Sequence, residues 1–423
     1  MWPVYLSKMN EFNKTDRKCA VPEMNTDKPK PIHVMIWKWI SGFGLATSLL
    51  VILGIQTWLA TLEMVDLGLF ATLKKYFHWS SWYVWPEING KKVIPMPGGY
   101  WVCALLMVNM ICGGLIRARK GWKTCGVILA HFSIVFMIAA GGVAQLFEER
   151  GVMVLFENER ADYAVSLTDP TIEIFEIVDG EPINEVRVVD LSLMNGLSQA
   201  GTGRIELPGM PMELELAGWL TNARVMPDLS NRSIDGWALR GKEIEKQAEM
   251  NAPGCYARVL VDGEPFAGPI IMAVPPPRSP VSEYPAHVFK VDGRTFAMRM
   301  VKKTIAVPYQ VELVDARSEY FPNSSRPKLF ESDVLRIEDE AVPVEIKMNE
   351  PMRAGGLTFF QRTMGGGPQN QRGPEFSGFE VVSNPADRWP EYSLYMVTLG
   401  LLIHFVMKLV MHFRRSTVRT QES

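Results

Sequence analysis

The sequence predicts a membrane protein with four transmembrane α-helices in a 3+1 arrangement and a large extracytoplasmic all-β, sandwich-like domain between helices 3 and 4. Three observations predict it. Four stretches stay apolar over about the 20 residues that a helix needs to cross roughly 30 Å of hydrocarbon. Lysine and arginine collect at three places that can all lie on one side of a membrane. Residues 147–391 read as short runs of alternating apolar and polar side chains, broken by Asp-Gly, Gly-Glu, Pro-Gly and Asn-Pro.

Residues 1–39 form a segment before the first span that is polar over its first thirty residues. No basic stretch there runs directly into an apolar one with a small-residue cleavage site, so no removable signal peptide is expected, and the first apolar helix acts as both address and anchor. The spans are residues 40–62, 100–116, 124–146 and 392–413. The second is short and rests on Trp101 at its outer end. All four runs are continuous rather than alternating, which marks helices rather than barrel strands.

Orientation follows from the basic residues. Lys8, Lys14, Arg17, Lys18, Lys28 and Lys30 precede span one; Arg117, Arg119, Lys120 and Lys123 fill the turn between spans two and three; Arg414, Arg415 and Arg419 follow span four. Their common side is the cytoplasmic one. The chain is therefore expected as a multi-pass protein of the cytoplasmic (inner) membrane with both termini inside. Residues 1–39 and the tail 414–423 are then cytoplasmic, and residues 63–99 and the β domain at 147–391 are periplasmic or extracytoplasmic. Lys74, Lys75, Lys91 and Lys92 are a minority charge on the outer side.

The first outer segment, 63–99, is rich in aromatic residues between Leu67 and Pro86 and reads as an interfacial amphipathic helix. In the second, the alternation predicts antiparallel sheets, as one sandwich or two stacked β subdomains. Residues 221–252 are less regular, and residues 365–373 (GGGPQNQRG) read as an exposed loop.

Composition excludes several classes. Net charge is -2 and pI about 6.4, so no basic field marks a nucleic-acid partner. The five cysteines, Cys19, Cys103, Cys112, Cys125 and Cys255, form no C-x-x-C and no pair at zinc-ligand spacing, which argues against thiol-redox and zinc chemistry. Gly-x-Ser-x-Gly and phosphate-loop motifs are absent from the β domain, and no catalytic residue is assigned. His287, its one histidine, is expected to pack or to cap a loop.

Several stretches carry a family likeness. A strand, a Pro-Lys, a Ser that opens the next strand, an Asn-x-Pro and a Gly-x-x-Phe-x-Gln follow one another as Pro327, Lys328, Ser332, Asn349, Pro351, Gly356, Phe359 and Gln361. The third span, which contains LAHFSIVFMIAAGG, is a histidine-bearing helix that ends in small residues and runs into the outer domain. The ending SNPADRWPEYSLYMV leads into the last helix. In these features and in its layout the chain resembles the ResB/CcsB family of system II cytochrome c biogenesis. Two positions depart from the family pattern: Phe360 stands where a Tyr-Gln pair is usual, and Glu157-Asn158-Glu159 stands where Glu-Gly-Glu is more typical. Residues 179–286 show no recognisable motif.

His131 lies eight positions after Lys123, on the order of 12 Å into the bilayer. A titratable ring at that depth is costly without a partner. The residues alone leave two readings open, a hydrogen bond to a neighbouring helix or axial ligation of haem iron; the resemblance implies the ligand. His404, ten residues before Arg414, lies at similar depth. It either pairs with His131 around one haem or leaves the second ligand to a companion subunit. His412 and His33 read as surface residues. Trp79, Trp82 and Trp85, with His78 before them, superficially resemble a tryptophan-rich haem-handling loop but lack its acidic end and its glycine. An aromatic belt or a docking surface accounts for the same residues.

The resemblance further implies a ResB-type subunit of the cytochrome c synthase complex. Such a chain, itself the non-catalytic part of a haem lyase, helps carry haem b, bound transiently, across the membrane for covalent attachment to apocytochrome c. The implied partners are a ResC/CcsA-type membrane subunit, apocytochrome c, a thioredoxin-like thiol reductant and membrane lipid. Two other classes stay open at this point: a non-haem membrane transport accessory, and a protein-binding assembly scaffold.

Overall fold

Long runs of Leu, Ile, Val, Phe and Ala with scattered glycine form the helices, and β-branched alternation around Asp-Gly turns forms the sheets. The computed structural model describes residues 31–88, 90–183, 187–189, 201–230, 233–276, 283–322, 324, 326–365 and 375–421. Among these, four helices are long and apolar enough to cross a membrane, at Phe43–Leu67, Gly99–Ile116, Trp122–Phe147 and Trp389–Arg414. The β-rich region lies between the third and the fourth, as expected. Most of residues 1–39 and the loop at 366–373 fall outside the described residues.

A short apolar helix, α1 (Ile32–Ile40), precedes α2 (Phe43–Leu67) and breaks from it at Ser41-Gly42. The break frees carbonyl groups in an apolar setting, where each needs a partner. The Asn109 amide supplies one by donating to the Ile40 and Gly42 carbonyls, and Arg117 donates to the Ser41 hydroxyl at 3.1 Å. The first span runs past its expected end at residue 62 because Glu63, though 3% exposed, is neutralised. Lys75 forms an ion pair with it and the Tyr76 hydroxyl donates to it at 2.7 Å. Burial and then the Glu63 carboxylate push the Tyr76 phenol well above its ordinary range.

Gly68, at φ 82°, turns the chain into α3 (Leu69–Phe77). The amphipathic helix expected across residues 67–86 stops there. Beyond it, two short antiparallel ladders, Tyr83–Val84 with Met96–Pro97 and Glu87–Ile88 with Lys91–Lys92, occupy the rest of the outer segment. Helix α4 (Gly99–Asn109) then passes into a π-helical turn at Met110–Ile116. Helices α5 (Cys125–Phe147) and α6 (Trp389–Gln421) cross at small residues. A Cβ on Gly126 would lie 2.7 Å from the His404 backbone nitrogen, and one on Gly400 would lie 2.9 Å from the Ala130 backbone nitrogen. Small residues of this kind let helix backbones meet closely where no hydrophobic driving force separates helix from lipid. The Ser393 hydroxyl adds a hydrogen bond to the Ser133 carbonyl. The outward faces, with Leu50, Trp58, Leu402 and Phe405 exposed, suit lipid rather than water.

The β domain is antiparallel throughout its described ladders. Its larger sheet has eleven strands among the described residues. Two long strands, β1 (Arg160–Val178) and β2 (Arg294–Tyr320), pair with each other and run through both halves of the domain. In one half, a five-stranded sheet built on Glu213–Leu220 and Gly254–Val261 lies against them as a sandwich. Its core is Ile172, Ile174, Leu214, Cys255, Phe296 and Met298. In the other half the large sheet curls on itself around Leu155, Val311, Leu313, Ile346, Phe359 and Phe379. The expectation of a sandwich or two stacked subdomains thus resolves into a sandwich and a curled half sharing two strands. The Asp-Gly signals are two-residue hairpins with φ > 0 at both positions, at 179–180, 262–263 and 292–293.

Candidate functional site

Two regions carry the residues singled out by sequence: the middle of α5 and the curled half of the β domain. At the first, the His131 Nδ1 lies 2.7 Å from the Val127 carbonyl oxygen one turn earlier. A carbonyl only accepts, so Nδ1 holds the proton and a neutral ring keeps its lone pair on Nε2. Among the described residues Nε2 has no hydrogen-bond partner. The ring lies over the π-helical turn, where a Cβ on Gly114 would come within 2.6 Å of Cδ2. On the other side of that turn a Cβ on Gly113 would lie 2.7 Å from the Ser41 carbonyl oxygen. The Gly113-Gly114 pair thus lets one helix approach both the α1–α2 break and His131. π-Helical turns are rare and often sit at functional sites.

His404 is also half-buried, but its backbone faces Gly126 and its ring lies edge-on to Phe405, centroids 5.8 Å apart. The buried residues Gly126, Ala130 and Ser133 of α5 meet α6. His131, five residues beyond Gly126, is turned about 140° from it round the helix axis. No hydrogen bond or ring contact joins the two histidines among the described residues. His33 and His412 are exposed, and His287 lies in a strand opposite Met298.

The tryptophan segment braces the Gly99 end of α4. Trp82 stacks on Trp101 at 4.1 Å, the Trp101 indole donates to the Trp79 carbonyl at 3.0 Å, and Trp85 donates to the Val93 carbonyl at 3.0 Å. Trp82 as a whole is still 66% exposed. His78 turns into the junction between α3 and the β domain. Its Nδ1 accepts from the Ser80 backbone N–H at 3.3 Å, and burial, then Lys74, lowers its pKa.

In the β domain the block from Ser332 to Gln361 is structural in its details. The Ser332 hydroxyl donates to Gln361 Oε1 at 2.9 Å, Gln361 Nε2 donates to the Ser377 hydroxyl at 2.7 Å, and the two hydroxyls lie 2.8 Å apart. This closed, buried triangle ties three strands through groups that satisfy one another. Gly355 and Gly356, at φ 57° and 78°, turn the hairpin that places Phe359 and Gln361. Asn158, at φ 65°, occupies the position where the family more typically has glycine, and asparagine is among the residues that best tolerate that conformation. Sequence reading did not find the roles of His78 and Gly114. For Gly114 the signal was present, as two adjacent glycines in an apolar span facing a histidine-bearing one.

Residues 281–374 match the model of the ResB-like family. That stretch contains the Pro327 to Gln361 block, and it agrees with the assignment to ResB/CcsB. A search of curated proteins returns no match.

Proposed function

We propose, from the ResB-like segment and the intramembrane histidine together, that this chain is the ResB-type subunit of a system II cytochrome c synthase and helps carry haem across the membrane. In this reading the Arg117 end of the bundle is cytoplasmic and the β domain is extracytoplasmic. Haem is cargo. His131 is one axial ligand: the Val127 carbonyl accepts from Nδ1 and leaves Nε2 as the ligating nitrogen, a common way for a backbone carbonyl to orient an imidazole. The second ligand comes from the ResC/CcsA-type companion or from His404. The helix arrangement favours the companion, since α5 turns its His131 side away from α6. The exposed apolar faces of α5 and α6 provide area for that companion and for lipid. The β domain is a platform for the companion or for apocytochrome c, whose reduced thiols meet the haem vinyl groups.

The observation that carries the reading is the hydrogen bond between His131 Nδ1 and the Val127 carbonyl within an apolar helix, which leaves Nε2 without a partner among the described residues. Its test is cytochrome c maturation in cells whose only copy carries His131→Gly. Covalent cytochrome c is expected to fall at least tenfold with membrane insertion unchanged, and added imidazole to restore part of it. His404→Ala is the matched comparison, and an equal loss there would assign both ligands to this chain. Full maturation with His131→Gly would refute the ligand role.

A further inference from the structure

Between the bundle and the β domain lie two cavities of about 760 and 700 Å³. They share walls at Phe70 and His78 of the outer segment, Gln145 of α5, and Thr168 to Pro170 of β1. The size of each is that of sites for small organic ligands. Their linings differ in kind. The second is walled by Leu67, Phe70, Leu73, Phe77 and Ile244. The first is walled by charges of both signs, Glu148, Glu149 and Asp169 with Arg150 and Lys303.

Three links hold the walls together. The Gln145 amide donates to the Phe77 carbonyl at 2.6 Å, Lys246 donates to the Val65 carbonyl at 2.9 Å, and Asn384 donates to Glu148 at 3.0 Å. The cleft is therefore built by the fold. Its apolar half opens at the end of span Phe43–Leu67, where Leu67, Phe70 and Leu73 are exposed, so it lies where a bilayer surface meets the domain.

An apolar chamber continuous with the membrane, joined to a chamber of mixed charge, matches a molecule with an acyl body and a zwitterionic head. Arg150 is paired there with Glu148 and Glu380 and Lys303 with Glu149, so a head of single net charge would break a pair without replacing both members, whereas a zwitterion exchanges partner for partner. An ammonium with N–H donors is accepted by the carboxylates while a phosphate lies beside Arg150 and Lys303. We propose that this cleft is a seat for one zwitterionic aminophospholipid, which caps the junction between the membrane bundle and the β domain. The seat is independent of the haem reading.

The test takes the full chain in nanodiscs of mixed phosphatidylethanolamine, phosphatidylcholine and phosphatidylglycerol and identifies the lipid retained on release by native mass spectrometry. Retention of one phosphatidylethanolamine is expected, preferred about tenfold over either other head, the factor that one charge-assisted hydrogen bond provides. Ala71→Trp fills the apolar chamber at an exposed helix position and should abolish retention. Asp169→Asn removes an acceptor for the ammonium and should erase the headgroup preference. Equal retention of all three heads by the unmodified chain would overturn the proposal, and so would a preference that survives both substitutions.

Discussion

Val127 and Gly114 act on His131 through backbone alone. The Val127 carbonyl sets which nitrogen bears the proton, and the missing side chain of Gly114 makes room for the ring. Gly114→Ala would place a methyl group 2.6 Å from Cδ2, closer than van der Waals contact allows, so the ring or the π-helical turn must shift. Haem recovered with the purified complex is expected to fall severalfold, while Gly44→Ala, with nothing within 4 Å, leaves it unchanged. Equal haem contents in the two variants would remove Gly114 from the site. At Cys255, 1% exposed, burial pushes the thiol up to about 12. Because the thiolate is the reactive form, site-resolved alkylation at pH 8 should leave Cys255 unmodified until denaturant is added. Rapid labelling of the folded chain would contradict the packing around it.

At the scale of elements, the buried triangle of Ser332, Gln361 and Ser377 ties the curled sheet. Gln361→Leu removes two of its three bonds and leaves buried hydroxyls short of partners, which costs about 1–3 kcal/mol. The β domain is expected to unfold at a correspondingly lower denaturant concentration with the helices still inserted, and an unchanged midpoint would show that the triangle contributes little. Gln361 could be singled out in the sequence by its place in the Gly-x-x-Phe-x-Gln run. Its partners could not, because Ser377 is 16 residues further on and the pairing depends on strand register. The helices were legible for the opposite reason: an apolar run of sufficient length has few other solutions, whatever its neighbours. Boundaries were less legible wherever a tertiary contact decides them. Glu63 reads as the end of a span until Lys75 and Tyr76 neutralise it, and the aromatic outer segment reads as one helix although its tryptophans are used to brace α4.

At the scale of the molecule, Gly68 is where the β domain meets the bundle. It adopts φ 82°, and a Cβ there would overlap the Lys246 carbonyl. Gly68→Ala should therefore loosen that contact, read as faster amide exchange at residues 244–252, with the spans themselves unaffected; unchanged exchange would show that the junction is held elsewhere. The site is distributed in the same way, since a histidine on the third span takes its room from a glycine on the second, a relation that no local pattern in the sequence displays. The central claim is that this imidazole is held in the membrane to ligate haem iron. It is tested most directly by the Soret absorbance per chain of the complex purified from haem-replete cells, with His131 intact and as His131→Gly. The account predicts a band lost on substitution and regained, at a shifted wavelength, when imidazole is added. A full Soret band in the His131→Gly complex, unaltered by imidazole, would contradict it.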